Sequence, residues 1–315
     1  MSHLQVLQPG MLALLMDTGR TGQHGLGLTT GGPLDAPAFF WANTLAGNPA
    51  NATAIEVAVG GLELRANTDL MIAVTGAEVP LTIDGQKAAL WTSHWVNRDS
   101  KIKLGFASKG ARAYLAANGG FDVAPQFGST ATVVREGIGG LNGKPLAAGD
   151  SLTVHDCPDG HPLVTLPEAL RPQYPDQPVL RVIEGYQADQ FSPAAKAVFY
   201  SSDYTLSPQC DRMGFRLQGP KLACAISGIV SEGISLGAIQ VPADGQPIVL
   251  LHDRQTIGGY PKIGNVFSGD LYQLGQLMPG ASVRFAPMSL EQAHAELLLA
   301  RRRQHLAKEQ LELVE

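Results

Sequence analysis

Cysteine, charge and long apolar runs are all scarce in this sequence. Its 315 residues include three cysteines, and charged residues make up 16%. No pair of cysteines has the C-x-x-C spacing of redox and zinc sites, and no apolar run reaches the length of about 18 residues that crosses a membrane. We therefore expect unpaired thiols in a reducing cytoplasm and no membrane partner. The N-terminus has no basic segment before an apolar one, so we expect no signal peptide.

An excess of positive charge is also missing. Lys and Arg total 23 against 28 Asp and Glu, which gives a net charge of −5. This balance argues against a nucleic-acid partner, because binding to phosphates requires a basic surface. The eight histidines form no H-x-H or H-E-x-x-H pattern, so we predict no metal site. No G-K-[ST] sequence occurs, which excludes a Walker nucleotide loop.

Turn-forming residues are abundant, with 36 glycines and 21 prolines. Many short apolar runs separated by Gly-rich turns indicate a mainly β protein, and Asp84-Gly85 is typical of a hairpin turn. Helical patterns are few. We predict helices over 36–46 after the N-cap Asp35 and over 192–199, and a C-terminal helix after a capping box formed by Ser289 and Gln292.

The prolines indicate how the chain is divided. Residues 156–178 contain six of them and read as a semi-stiff linker. This predicts a first lobe over 1–155, a second over 179–288, and a C-terminal helix and tail over 289–315. Because the tail after Leu299 is basic and mostly polar, we expect the fold to survive its deletion.

Unusual polar chemistry is concentrated in the second lobe, in residues 209–216 and 253–262. Arginine, lysine and glutamine side chains lie there beside apolar strands and paired glycines. Such groups suit the recognition of an anion or an amide, because guanidinium matches carboxylate and glycine lets a ligand approach the backbone. The alternative is a structural Asp–Arg pair next to a Gly-Gly turn.

Ordered motifs along the whole chain resemble the family of 5-oxoprolinase C subunits, also called the allophanate hydrolase subunit 2 or Kip family and often described as biotin-dependent carboxyltransferase. The matching segments are Asp17–Arg20, Gly32–Asp35, Gly119–Asp122, Asp211–Leu217, Ser231–Gly233, Gln240–Pro242 and Gln255–Ile263. The first lobe departs from the family pattern, since a glutamine is missing before Asp17 and an arginine is missing within 128–132.

The resemblance implies two cyclophilin-like β-barrel lobes with a few short helices. It also implies an enzyme subunit that acts with 5-oxoprolinase subunits A and B to open 5-oxo-L-proline to L-glutamate at the expense of ATP. Since no nucleotide loop is present, we expect another subunit to handle ATP and the isolated chain to be inactive. Two alternatives remain. One is a biotin-dependent carboxyltransferase component like that of urea carboxylase, with biotin arriving on a partner. The other is a non-catalytic regulatory binding protein of the Kip type.

The same segments provide candidate site residues in the second lobe. Lys262 and the Gly258 and Gly259 amides are expected to face developing negative charge. Asp211 or Glu232 would act as the base. The remaining predicted substrate contacts are Arg212 and Arg216 for a carboxylate, together with Gln255 and Tyr260.

Overall fold

The computed structural model describes residues 3–156 and 160–314. Within these ranges the chain is mainly β, as predicted, with few helices and a long C-terminal one. Cys210 and Cys224 are both free thiols, whereas Cys157 lies outside the described residues. No helix in the described ranges is long and apolar enough to cross a membrane.

The strands are short and numerous. In chain order they are β1 (His3–Pro9), β2 (Leu12–Met16), β3 (Ala54–Ala58), β4 (Leu62–Ala66), β5 (Leu70–Glu78), β6 (Leu81–Ile83), β7 (Gln86–Ala88), β8 (Ser93–Val96), β9 (Lys101–Leu104), β10 (Lys109–Ala117), β11 (Ser151–Thr153), β12 (Val164–Thr165), β13 (Val179–Glu184), β14 (Tyr204–Cys210), β15 (Gly214–Gln218), β16 (Glu232–Gly233), β17 (Ala238–Gln240), β18 (Ile248–Leu250), β19 (Ile257–Gly258), β20 (Lys262–Val266), β21 (Ser282–Pro287) and β22 (Glu312–Leu313). The predicted hairpin joins β6 to β7. Asp84 and Gly85 both have positive φ there, as a tight primed turn requires.

The predicted helices form where the caps placed them. They are α1 (Ala36–Leu45), α2 (Pro193–Ser201) and the C-terminal helix (Leu290–Lys308), which is α4 because a short helix that was not predicted, α3 (Leu271–Gly275), precedes it. Asp35 accepts a hydrogen bond from the Ala38 amide at 2.9 Å, and Ser192 caps α2 in the same way. At α4 the capping box is reciprocal. The backbone N–H of Gln292 donates to Ser289 Oγ at 3.2 Å, and the backbone N–H of Ser289 donates to Gln292 Oε1 at 2.9 Å.

Backbone contacts divide the chain into two units. The described part of the first consists of residues 3–21, 31–156, 160–172 and 305–314. The second consists of Gly22–Thr30 and Gln173–Gln304.

The first unit contains two sheets around one core. Strand order is β11-β1-β4-β9-β6-β7 in one and β2-β3-β10-β5-β8 in the other. Inward side chains of both sheets, such as Leu64 and Val74, meet in a single apolar cluster. All of β3 is buried because α1 covers its other face. This unit differs from the predicted barrel, since in the described residues its hydrogen-bonded ladders form these two sheets and the small sheet of β12 and β22, and no closed ring.

The second unit contains the closed barrel. Its strand order is β13-β20-β17-β18-β15-β14-β21, and β13 and β21 close the ring as a parallel pair. Aromatic side chains pack together in this unit, where Phe199 of α2 stacks on Phe285 of β21 with ring centroids 4.4 Å apart. A separate two-stranded sheet of β16 and β19 lies outside the ring of barrel strands.

The predicted linker and tail are more ordered than their composition suggested. Within the segment predicted to be a semi-stiff linker, β12 pairs with β22, and Ser93 Oγ donates to the Val164 carbonyl at 3.1 Å. In α4, Ala307 is buried and the Lys308 ammonium lies over the Phe40 ring. The residues after Leu299 therefore contribute packing and a strand to the first unit. Their deletion would remove this packing and the pairing of β22 with β12.

Candidate functional site

An ion pair between Lys262 and Glu232 is the centre of the candidate site. Lys262 is the first residue of β20 and is only 8% exposed. Glu232 begins β16, where it lies opposite Gly258 of β19. Because three residues connect β19 to β20, this short connection fixes the position of both charged groups relative to each other.

A glutamine that the sequence did not single out completes this pair. Gln187 Nε2 donates to Glu232 Oε1 at 3.0 Å, and Gln187 Oε1 accepts from the Lys262 backbone amide at 3.4 Å. The Lys262 ammonium holds the pKa of Glu232 below its usual value. Burial opposes this shift and the Gln187 hydrogen bond reinforces it. Glu232 is therefore ionised at neutral pH and is a weak base in this arrangement.

Gln240 supplies a further polar group on the barrel wall. It lies opposite Lys262 in the β17–β20 ladder, so the two side chains are on the same face. It is 1% exposed, and its Nε2 has no hydrogen-bond partner among the described residues. A Cβ atom added to Gly258 would lie 2.9 Å from this nitrogen. The Gln240 amide therefore packs against Gly258, where any larger residue would collide with it.

The predicted arginines have other partners. Arg212 forms a bidentate pair with Asp253, with Nε–Oδ2 and Nη2–Oδ1 distances of 3.0 and 3.1 Å. Both residues are buried, and the Asp253 amide also donates to the Arg212 carbonyl. Arg216 pairs with Asp244 at 3.1 Å, in a contact that is more than one-third exposed on each side. The structural Asp–Arg pair considered from the sequence is present, between Arg212 and Asp253.

Asp211 has a local role in the turn between β14 and β15. Its Oδ1 accepts from the Met213 amide at 2.8 Å and the Gly214 amide at 3.3 Å. These two bonds stabilise a carboxylate, and a carboxylate used in this way supports the turn. No hydrogen bond or ion pair of Asp211 to Lys262 or Glu232 is present in the described residues.

Comparison with known proteins identifies the family. A family model for the carboxyltransferase domain, subdomain A and B, matches residues 26–287. The chain belongs to this family. It is 37% identical, over 98% of its length and 97% of the relative's, to the 5-oxoprolinase C subunit of Escherichia coli strain K12. The 5-oxoprolinase C subunit of Haemophilus influenzae is 34% identical over 92% of this chain and 93% of its own.

Solved structures extend this family relationship. The crystal structure of the K. lactis urea amidolyase matches with a TM-score of 0.90 at 29% identity. The match covers 97% of this chain but only 20% of the amidolyase chain. This carboxyltransferase-family chain thus corresponds to one part of a much longer protein there, whereas it corresponds to nearly all of each 5-oxoprolinase C subunit.

In this carboxyltransferase-family chain, the predicted site residues divide into two groups. Glu232, Gly258 and Lys262 form one cluster. Gly259 and Tyr260 lie in the connection that leads to it, and Gln255 is half-buried in the loop before β19. Asp211, Arg212 and Arg216 belong to the β14–β15 hairpin and are held by their own partners. Sequence reasoning missed Gln187 and Gln240 as site residues. Gln240 lies in a family motif, but no local pattern marks Gln187.

Proposed function

We propose that the chain is the C subunit of an ATP-dependent 5-oxoprolinase, which opens 5-oxo-L-proline to L-glutamate together with subunits A and B. The observation that carries this proposal is the nearly end-to-end likeness to a 5-oxoprolinase C subunit, at 37% identity over 98% of this chain. A match that spans both proteins supports the same division of labour among subunits. We also infer a cyclophilin-like fold for the second unit, whose strands close into a barrel, and a cytoplasmic location.

The chemistry explains what such a subunit has to provide. A lactam is a resonance-stabilised amide, and ATP activates it by phosphorylating an amide or carboxyl oxygen before water attacks. The subunit that binds ATP is another one in this proposal, because this chain has no G-K-[ST] loop. What remains for this chain is to position the substrate and stabilise its negative charge.

The Lys262 cluster is the part of the chain suited to that task. Lys262 is a buried cation, and the Gly258 and Gly259 backbone permits close approach of a ligand. We assign Glu232 to the role of counter-ion in the resting site, since its lowered pKa makes it a weak base. Gln255 and Tyr260 are assigned to the approach to the site. Arg212, Arg216 and Asp211 are assigned to holding the barrel and its hairpin.

A second candidate function follows from the structural match to urea amidolyase, with its TM-score of 0.90. Under this alternative the chain is part of a biotin-dependent carboxyltransferase that acts on urea. Biotin would arrive on a partner, because the chain has no A-M-K-M biotinylation motif.

Co-purification followed by a turnover assay tests these proposals. The chain is expressed with candidate subunits A and B, and ADP release is measured with 5-oxo-L-proline or urea as substrate. We expect ADP release that depends on 5-oxo-L-proline and on all three subunits, and none from the isolated chain. Turnover by the purified chain alone would refute the subunit assignment. If turnover occurred with urea and not with 5-oxo-L-proline, and required a biotinylated partner, the carboxyltransferase function would be favoured.

A further inference from the structure

Around Glu232 there are more hydrogen-bond donors than acceptors for them. The Glu232 carboxylate has the Lys262 ammonium and the Gln187 amide as partners. Gln240 Nε2 is a third donor in the same cluster, and it has no acceptor among the described residues. A buried amide nitrogen without a partner costs about 1–3 kcal/mol. A ligand oxygen that accepts a hydrogen bond from Gln240 Nε2 would remove this cost.

The site is already shaped for a carboxylate, since it holds the side chain of Glu232. One cation and neutral amides match a planar group of single negative charge. A phosphate dianion would need further positive charge, and Lys262 is the only cation that the described contacts place in this cluster. A monocarboxylate is therefore the ligand class that the cluster fits.

Exposure shows which member of the ion pair is able to leave. The side chain of Lys262 is 10% exposed and that of Glu232 is 40% exposed. Glu232 thus lies on the solvent side, and its strand β16 is only two residues long. Rotation of the Glu232 carboxylate into the solvent has a low free-energy cost because the group is already partly solvated. Withdrawal of the buried Lys262 ammonium would disturb the barrel.

We propose that Lys262, Gln187 and Gln240 form a binding site for a ligand carboxylate, and that Glu232 occupies this site until the ligand displaces it. The inference rests on the proposed function in one respect, which is that 5-oxo-L-proline is the carboxylate tested. It assigns Lys262 to the carboxylate of the bound substrate and not to charge that develops during the reaction.

Calorimetric titration of the full chain tests the proposal without the other subunits. The probes are 5-oxo-L-proline, acetate, inorganic phosphate, and 2-pyrrolidinone, which is the same lactam without the carboxylate. We expect saturable binding of 5-oxo-L-proline and weaker binding of acetate. Phosphate and 2-pyrrolidinone are expected to give no saturable signal. Equal binding of 2-pyrrolidinone and 5-oxo-L-proline would overturn the carboxylate assignment.

Substitution of Glu232, which competes with the ligand for the site, is expected to increase affinity, and a misfolded variant would not show such an increase. Glu232→Gln is expected to tighten 5-oxo-L-proline binding about tenfold, as removal of one partly buried competing ion pair predicts. Lys262→Met is expected to abolish binding, and Gln240→Leu to weaken it several-fold at similar volume. Asp244→Asn breaks an exposed ion pair of the same unit and is the matched control, with no change expected. Unchanged or weaker binding by Glu232→Gln would refute the proposal.

The two proposals fail separately. Carboxylate binding with the expected Glu232→Gln gain, but no turnover in the assembled complex, supports the site and refutes the 5-oxoprolinase assignment. Turnover that is lost in Lys262→Met while the wild-type chain binds no carboxylate refutes the site and leaves the 5-oxoprolinase assignment in place.

Discussion

Replacing Arg212 with alanine is expected to destabilise the second unit strongly. The guanidinium and the Asp253 carboxylate are each 8% exposed, and two hydrogen bonds of 3.0 and 3.1 Å join them. Arg212→Ala leaves the Asp253 charge buried without this partner, which typically costs about 3–5 kcal/mol. For a unit of this size, that loss lowers the melting temperature by roughly 10–20 °C.

Thermal melts of the full chain at neutral pH, followed by circular dichroism, measure this effect. Arg216→Ala is the matched control, because its pair with Asp244 is more exposed and is worth about 1 kcal/mol or less. A double replacement of Arg212 and Asp253 by leucine should recover much of the loss, since apolar residues often replace a buried ion pair without cost.

A melt of Arg212→Ala close to that of Arg216→Ala would refute the structural role of the buried pair. If the same variant also lost 5-oxo-L-proline binding, Arg212 would be a ligand-binding residue. The folded fraction of Arg212→Ala should instead keep its affinity for the carboxylate.

Four further results are expected. Gly258→Ala should destabilise the chain by about 1–3 kcal/mol and weaken ligand binding, because its Cβ would lie 2.6 Å from Ile234 Cδ1. In the control Gly233→Ala the added Cβ meets nothing within 4 Å, so thermal melts and binding titrations should not change. The lowered pKa of Glu232 means that its ion pair stabilises the fold above the usual pKa of glutamate and loses this effect as pH falls through the lowered value. The stability difference between wild type and Glu232→Gln should therefore shrink in melts recorded from pH 7 towards pH 3, and a constant difference would contradict this. Lys262→Met should reduce kcat/KM of the assembled complex by about 10²–10³ while co-purification is unchanged, because the substrate carboxylate loses its buried cation, and a value within about threefold would show that Lys262 does not hold the substrate. Deletion after Leu299 should lower the melting temperature of the chain, because it removes β22, and an unchanged melt would contradict the packing of β22 on β12.

Local structure was largely decided by the sequence. The N-caps at Asp35 and Ser192 and the box at Ser289 act over three residues, so their partners are given by spacing alone. The Asp84-Gly85 turn likewise depends on two adjacent residues that tolerate positive φ. These signals predicted α1, α2 and the start of α4 to within one or two residues, whereas α3 has no side-chain cap and was not predicted. The abundance of turns predicted the mainly β class.

Longer-range arrangements depended on the tertiary structure. Composition offered no means to tell the two sheets of the first unit from the closed barrel of the second, because closure depends on which edge strands meet. The proline content of the linker did not predict β12, whose partner β22 lies near the C-terminal end of the sequence. Strand pairing between distant segments leaves no periodic mark in either segment.

The candidate site shows the same limit. The family motifs placed Glu232, Gly258 and Lys262 among the candidates, but partner choice came from the fold. Arg212 pairs with Asp253, 41 residues away, and not with the adjacent Asp211. Gln187 reaches Glu232 across 45 residues. The sequence by itself determined which chemical groups are available and where the capped helices α1, α2 and α4 begin. The tertiary structure alone decided which charges meet, because burial and proximity of an ion pair are properties of packed elements and not of spacing along the chain.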